Sequence, residues 1–393
     1  MNKAQKTRTS KDSALDIAVG HTGVRGKLIR GVKTVLHYLG LATPPKTTPD
    51  GLPDFGFSAK GDRYSDRVEL TRGGMGAINC AFDKDLKRQT AMKSALPAVL
   101  SRPLNATRFV NEARITAQLE HPNIVPVHDI GYTESDGLYY TMKLVQGEAL
   151  VDILDDLYEG SEERRKTFTL HRLLMVFRDV CEAVGFAHSR GVVHLDIKPE
   201  NIMVGHFGEV LLMDWGIAQY AESAIENGLE QDEIALEVRA GSGEVRGTPA
   251  YMAPEQARGD SQNFSELTDI FLLGGCLYHI LTLSPPYLGD SPEDILERAA
   301  LYDGINPPEK RSPHRQLPDE ICRICMKAIA EKQEDRYQSV TELLADLDDY
   351  MGGFVLSDTR VFESGDILMR EGDAGKEAYV IISGKVDIVR EVA

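Results

Sequence analysis

Hydrophobic and polar positions alternate in short runs up to about residue 145, and from about residue 150 the spacing lengthens to that of helices. The stretch Tyr64–Phe82 places alternating residues on both sides of a glycine cluster, Gly73-Gly74-Met75-Gly76, which predicts strand, turn, strand. A further strand is expected at Gln89–Lys93, and an amphipathic helix over 105–119 with Phe109, Ile115 and Leu119 on its apolar side. The next strand is expected to start at Ile124–Val127, and another to run from Tyr139 to Val145 before Gln146-Gly147 breaks it. Leu173, Leu174, Val176, Phe177, Val180, Val184 and Phe186 recur at helical spacing and predict one long helix over 170–189. The apolar run from Ile270 to Leu283 contains Gly and His and is too short to span a bilayer, so it predicts a buried core helix.

The two ends read differently. Residues 24–40 carry apolar positions at helical spacing with a cationic face, which suits either a surface-binding helix or one packed on the protein itself. Residues 43–61, rich in Pro, Thr, Gly and Asp, read as a linker. After residue 353 the pattern returns to strands at 362–368, 378–382 and 385–389, with Gly372, Gly375 and Gly384 at the turns.

Composition narrows the class. A chain of 393 residues that is 42% hydrophobic and 27% charged can bury a sizeable core. Its net charge of -17 argues against a general nucleic-acid binder, which needs an excess of Lys and Arg. The charge is uneven: residues 1–48 hold nine Lys and Arg against Asp12 and Asp16. That arm suits an acidic regulatory partner or a membrane surface, or is simply a solvated leader. Cys322 and Cys325 form a lone C-x-x-C with no second ligand pair, and read as core cysteines on one helix face. With no transmembrane run, no secretory leader and no disulfide framework among five Cys, a cytoplasmic location is expected.

The densest chemistry lies in Val193-His194-Leu195-Asp196-Ile197-Lys198-Pro199-Glu200-Asn201, followed by Asp214-Trp215-Gly216. An Asp that takes a hydroxyl proton, a Lys that holds a phosphate, and an Asn with a second Asp that ligate a hard cation are the parts phosphoryl transfer requires. Upstream, glycines 73, 74 and 76 let a backbone approach phosphates closely, and Lys93 ends a neighbouring strand. Glu112, on the helix that follows, can pair with Lys93. Downstream lies an acidic run from Glu222 to Glu237, then Ala240-Gly241-Ser242-Gly243, and then Arg246-Gly247-Thr248-Pro249-Ala250-Tyr251-Met252-Ala253-Pro254-Glu255.

In this order and spacing the motifs resemble the protein Ser/Thr kinase family in its bacterial eukaryotic-like branch, over roughly residues 61–350. The resemblance implies an α+β, two-lobed fold, with an N-lobe over 61–145 and a helical C-lobe over 146–353. The flanks would be a basic extension and linker over 1–60 and an incomplete segment over 354–393. It implies ATP with Mg²⁺, or Mn²⁺ in its place, and protein substrates bearing Ser or Thr. Gly73, Gly74 and Gly76 would cover the nucleotide, Ile78 and Ala91 would line its site, and Met142, Lys143, Leu144 and Val145 would form the hinge to adenine. Lys93, held by Glu112, would bind the α/β-phosphates. Asp196 would be the base, Lys198 would steady the γ-phosphate, and Asn201 and Asp214 would hold the metal. Thr248 would line the acceptor site, Glu255 would pair with Arg336, and Asp269 would anchor the catalytic loop.

Four departures stand out. Thr71 replaces the first glycine of the loop, Leu195 replaces the Arg of the His-Arg-Asp motif, Trp215 replaces a Phe, and the activation segment carries the acidic insertion. In the family that Arg pairs with a phosphorylated activation loop, so Leu195 implies activity less dependent on loop phosphorylation. Thr71 and Leu195 also define the alternative reading, a pseudokinase scaffold that binds without catalysis. A small-molecule phosphotransferase is disfavoured by the Thr248–Glu255 platform. Residues 361–389 resemble the first strands of a cyclic-nucleotide-binding domain without its phosphate cassette. Cyclic-nucleotide binding is therefore expected only from a longer chain that completes the domain.

Overall fold

The computed structural model describes residues 62–73, 76–101, 103–133, 137–220, 247–356 and 366. The basic arm, the helix expected over 24–40, the linker, the acidic insertion and the cyclic-nucleotide-like segment lie outside the described residues. The chain divides into two compact units, one of residues 64–83 and 88–393 and one of residues 1–63 and 84–87. The sheets, the helices and the candidate site belong to the first. In the second, Lys84 Nζ meets Asp62 at 2.6 Å.

The alternating region forms a five-stranded antiparallel sheet in the order β1-β2-β3-β5-β4. The strands are β1 (Tyr64–Arg72), β2 (Gly76–Asp83), β3 (Arg88–Ala95), β4 (Val127–Thr133) and β5 (Gly137–Met142). Gly76 opens β2 where a Cβ would stand 2.7 Å from the carbonyl oxygen of Ser94, so only glycine fits there. Helix α1 (Pro103–Gln118) buries Phe109 and Ala113 against Ala91, Tyr140 and Met142, forming a small core of its own.

Two strands are shorter than their apolar runs suggest. Ile124 makes only an isolated bridge to Leu212, and β4 begins at Val127, after Pro126. A proline has no N–H to give a ladder, and here its carbonyl is taken by the backbone N–H of Lys143 at 3.1 Å. That bond lies just past the end of β5 at Met142, so Lys143–Val145 run on as irregular backbone.

The second half is helical around one large core. Three short strands, β6 (Gly147–Ala149), β7 (Ile202–Gly205) and β8 (Val210–Leu212), form a sheet in the order β6-β7-β8. Helix α2 (Leu150–Tyr158) and the long α3 (Leu170–Ser189) precede the catalytic-type loop. Thr169 caps α3 by accepting the backbone N–H of Arg172, and the predicted apolar stripe is buried from Leu173 to Val184, with Phe186 half-buried at its end. Helix α4 (Glu266–Thr282), capped by Ser265, is buried on every side from Thr268 to Thr282. A helix apolar all round belongs in the middle of a core, and α4 is packed between α3 and α5 (Asp319–Ala328). Cys322 and Cys325 lie on α5, free and buried. Helix α6 (Val340–Leu356) closes the core against α3. No helix among the described residues is long and apolar enough to cross a membrane.

Candidate active site

The loop from His194 to Asn201 is fixed from beneath by Asp269 in the first turns of α4. Its carboxylate is fully buried and accepts the backbone N–H groups of His194 and Leu195, each at 2.8 Å, and faces His188 Nε2 at 2.8 Å. Leu195 stands at φ +67, a left-handed conformation a bulky residue avoids. Two bonds hold it there: its N–H goes to Asp269, and its carbonyl accepts Gln256 Nε2 at 2.8 Å. Its side chain is buried with Val193 and packs on Ile217 and Phe264. His194 accepts the N–H of Asp196 at Nδ1 and donates from Nε2 to the carbonyl of Met213, which ties the loop to the strand entering Asp214. Trp215 is buried with its ring centroid 4.4 Å from that of His194.

Asp196 is surrounded by donors. Its Oδ1 accepts the Thr248 hydroxyl at 3.2 Å, while its Oδ2 receives Asn201 Nδ2 at 3.2 Å and stands 3.0 Å from Lys198 Nζ. Lys198 Nζ also donates to Thr248 Oγ1 at 2.5 Å. Gly247 carries Thr248 into this position at φ +114, where a side chain would be strained. The activation segment therefore returns to the same carboxylate the loop presents.

Across the cleft, Lys93 on β3 stands opposite Ile78 of β2 and Tyr140 of β5. Its Nζ donates to Glu112 Oε1 at 2.5 Å and lies 3.6 Å from Asp214 Oδ1. Burial opposes the charge on Lys93, but the Glu112 and Asp214 carboxylates outweigh it and keep its pKa above the ordinary value. Burial likewise pushes Glu112 up; Lys93 counters it only partly, and Asp214 adds repulsion. Burial also raises Asp214, yet Lys93, His194 and Lys198 prevail and hold it below the usual carboxylate value. Asp214 sits at φ +59 with its side chain still 48% exposed, an ionised group turned toward open space.

Asn201 spends its amide nitrogen on the carbonyl and carboxylate of Asp196, which leaves its oxygen as the atom that could take a metal. With the Asp214 carboxylate this is a hard-oxygen pair, the donor set of an ion that takes its remaining ligands from water and phosphate. Among the described residues no three His, Cys, Asp or Glu side chains cluster to hold a metal unaided. The residues present thus fit Mg²⁺ or Mn²⁺ brought in with a nucleotide.

The remaining candidates fall into place around these two clusters. Gly73 donates its N–H to the Gly76 carbonyl at 2.9 Å, closing the turn between β1 and β2, while Gly74 lies outside the described residues. Ala91 and Met142 are buried partners across β3 and β5, and Leu144 and Val145 are half-buried beyond them. Glu255 meets Arg336 through both carboxylate oxygens, at 2.8 and 3.0 Å. Sequence reasoning passed over Gln256 and Tyr140. Gln256 follows the Ala-Pro-Glu motif directly, and Tyr140 lies in a strand already expected, but only the folded register brings either to a site residue.

The protein kinase domain family matches residues 64–347 of this chain. The chain is 35% identical over 300 residues to the serine/threonine-protein kinase PknD of Chlamydia pneumoniae, covering 74% of this chain and 31% of that one. It is 33% identical over 352 residues to PknD of Protochlamydia amoebophila, covering 85% and 34%. Against PknD of Chlamydia trachomatis (serovar L2b) the identity is 38% over 304 residues, covering 73% and 32%. The chain therefore spans about a third of the length of these curated relatives. With both clusters set in a β-sheet lobe and a helical lobe, the chain belongs to the protein kinase domain family.

Proposed function

We propose that this chain is a protein serine/threonine kinase that transfers the γ-phosphate of ATP to Ser or Thr hydroxyls of proteins, itself included. The observation that carries the reading is the convergence of Lys198, Asn201 and Thr248 on Asp196, with Asp214 3.6 Å from Lys93. Asp196 accepts the proton of the acceptor hydroxyl as that oxygen attacks the γ-phosphorus. The bond to the β,γ-bridging oxygen breaks and ADP leaves. Lys198 neutralises charge on the moving phosphoryl group, and Lys93, oriented by Glu112, holds the α/β-phosphates. Asn201 and Asp214 hold Mg²⁺, or Mn²⁺, which supplies charge neutralisation on the phosphates when bound. Gly73, Gly74 and Gly76 cover the nucleotide, Ile78 and Ala91 line its base, and Met142–Val145 serve as its hinge. The Thr248 hydroxyl, already bonded to the base, favours a short aliphatic acceptor over a tyrosine, and the PknD relatives carry the serine/threonine kinase name.

Leu195 supports a second element of the proposal. A buried leucine offers nothing to a phosphate, so activity depends less on a phosphorylated activation loop. A cytoplasmic setting, the domain limits 1–60, 61–353 and 354–393, and a partner for the basic arm belong to the same reading. So does cyclic-nucleotide binding by a chain that completes the last segment.

Incubation with radiolabelled ATP, Mg²⁺ and a generic Ser/Thr substrate tests it, with Asp214→Ala as the control. The wild type is expected to label itself and the substrate on Ser and Thr, and Asp214→Ala to label neither. Equal incorporation by both, or none by the wild type, overturns the reading. Ser242→Ala is expected to retain activity, whereas Thr248→Ala loses most of it.

A further inference from the structure

Glu112 has two attachments to the sheet, and only one of them is the lysine. Tyr140, directly opposite Lys93 in the β3–β5 register, donates its phenolic O–H to Glu112 Oε1 at 2.6 Å. The same oxygen receives Lys93 Nζ, which also lies 5.9 Å from the centre of the Tyr140 ring. The other oxygen, Oε2, is buried without a partner among the described residues. The tyrosine ring is buried and packs on Phe109, one turn before Glu112 on α1, with centroids 5.3 Å apart. Packing alone does not call for a hydroxyl here, since a phenylalanine would fill the same space and would spare the cost of burying an O–H. The hydroxyl is used, and on the one carboxylate that orients Lys93.

We propose that Tyr140 is a positioning residue for phosphoryl transfer, anchoring Glu112 to β5 so that α1 stays docked while Lys93 turns its donors to the nucleotide. The inference rests on the kinase reading. Lys93 has three N–H donors to divide among Glu112, Asp214 and the phosphates. When it leans toward phosphate, a Glu112 held by lysine alone would lose its only tie in a dry site. The groups facing Glu112 are Lys93 on β3, Tyr140 on β5 and, by charge, Asp214 across the cleft. Of these, only Tyr140 makes no expected contact with substrate, so its bond persists through the cycle.

The experiment is a double-mutant cycle in the full chain, with Tyr140→Phe, Glu112→Ala and the pair, read as kcat and KM for ATP. Tyr140→Phe is expected to lower kcat about tenfold, the effect of losing one hydrogen bond to a charged group, with KM for ATP changed less. In the Glu112→Ala background the same substitution should cost nothing further. Phe109→Leu, which loosens the ring packing and keeps the hydroxyl, should spare kcat. Wild-type kcat in Tyr140→Phe, independent multiplying losses in the cycle, or an equal loss from Phe109→Leu would each overturn the proposal. MgADP affinity by calorimetry reads the same cycle without turnover. A wild type that transfers no phosphate sinks the kinase reading, whereas transfer that Tyr140→Phe leaves unchanged sinks only the role of Tyr140.

Discussion

Among the described residues, the buried ion pairs Arg336–Glu255 and Lys93–Glu112 are finished to different degrees. Arg336–Glu255 is closed. The guanidinium donates to both carboxylate oxygens and to the carbonyls of Leu267, Ala330 and Glu331, and the carboxylate also accepts Thr268 and Gln333. Burial raises the pKa of Glu255, but the bonds and charge of Arg336 outweigh it and leave the group below its ordinary value. Lys93–Glu112 is open. One carboxylate oxygen takes both donors, the other takes none, and the group is held above its ordinary value. A half-satisfied buried network costs stability, and the member of this one with donors left to give is Lys93. The closed pair holds the fold together, while the open pair is set up for a ligand.

The largest test of that contrast is Arg336→Met. It strands a buried, fully ionised Glu255 and should cost about 3–5 kcal/mol of stability. Adding Glu255→Leu should recover part of the loss. Urea denaturation of the single and double variants measures both, and a loss below about 1 kcal/mol from Arg336→Met would show that the closed network carries little of the fold.

Lys93→Met should behave the other way. Glu112, already raised, takes up a proton when its lysine goes, so stability should fall by only about 1–2 kcal/mol. Phosphoryl transfer should fall at least about a hundredfold, as expected when one preorganised charge is removed from a reacting centre. Stability and turnover measured on the same preparation separate the two effects.

Acid sharpens the contrast further. His279 is buried, faces the Tyr251 hydroxyl at 2.7 Å, and is lowered by burial from 6.5 to about 4. Its neutral form is favoured in the fold. Its contribution is therefore complete above pH 6.5 and is lost as pH falls toward 4. Because Glu255 is depressed, the closed pair stays ionised through most of that window, and Glu112, being raised, contributes with the opposite sign. Between pH 7 and 4.5 the wild type should lose about 2–3 kcal/mol, and His279→Gln should lose clearly less. Equal losses of unfolding free energy between the two pH values in the wild type and His279→Gln would exclude His279 as the acid-sensitive group.

These contrasts also show what the sequence could and could not disclose. Residues that do chemistry in short motifs were legible because their spacing is fixed by the loop that carries them, as with Asp196, Lys198 and Asn201. The long helices were legible from their apolar period. The strand limits at Ile124–Val127 and Met142 were not, because Pro126 and the Lys143 N–H settle them by a tertiary bond. Tyr140 and Gln256 escaped for a related reason. Each lies in an element chosen for burial, and its polar atom meets its partner only through cross-strand register or through the return of the activation segment. A tyrosine two positions before the end of an apolar strand carries no mark of the carboxylate it will meet.

The smallest expected effect lies in the backbone between the two pairs, at Leu195. Its φ of +67 is imposed by the bonds from its N–H to Asp269 and from Gln256 to its carbonyl. Replacement by alanine removes the side-chain packing on Val193, Ile217 and Phe264 and keeps the strained conformation. Replacement by glycine removes the same packing and also the strain. Glycine should therefore be the milder change by about 1 kcal/mol, reversing the order these residues follow in ordinary backbone. Thermal unfolding of Leu195→Ala and Leu195→Gly side by side reads the difference. If alanine proves the more stable, the conformation costs nothing there, and Asp269 and Gln256 are not holding the loop against strain.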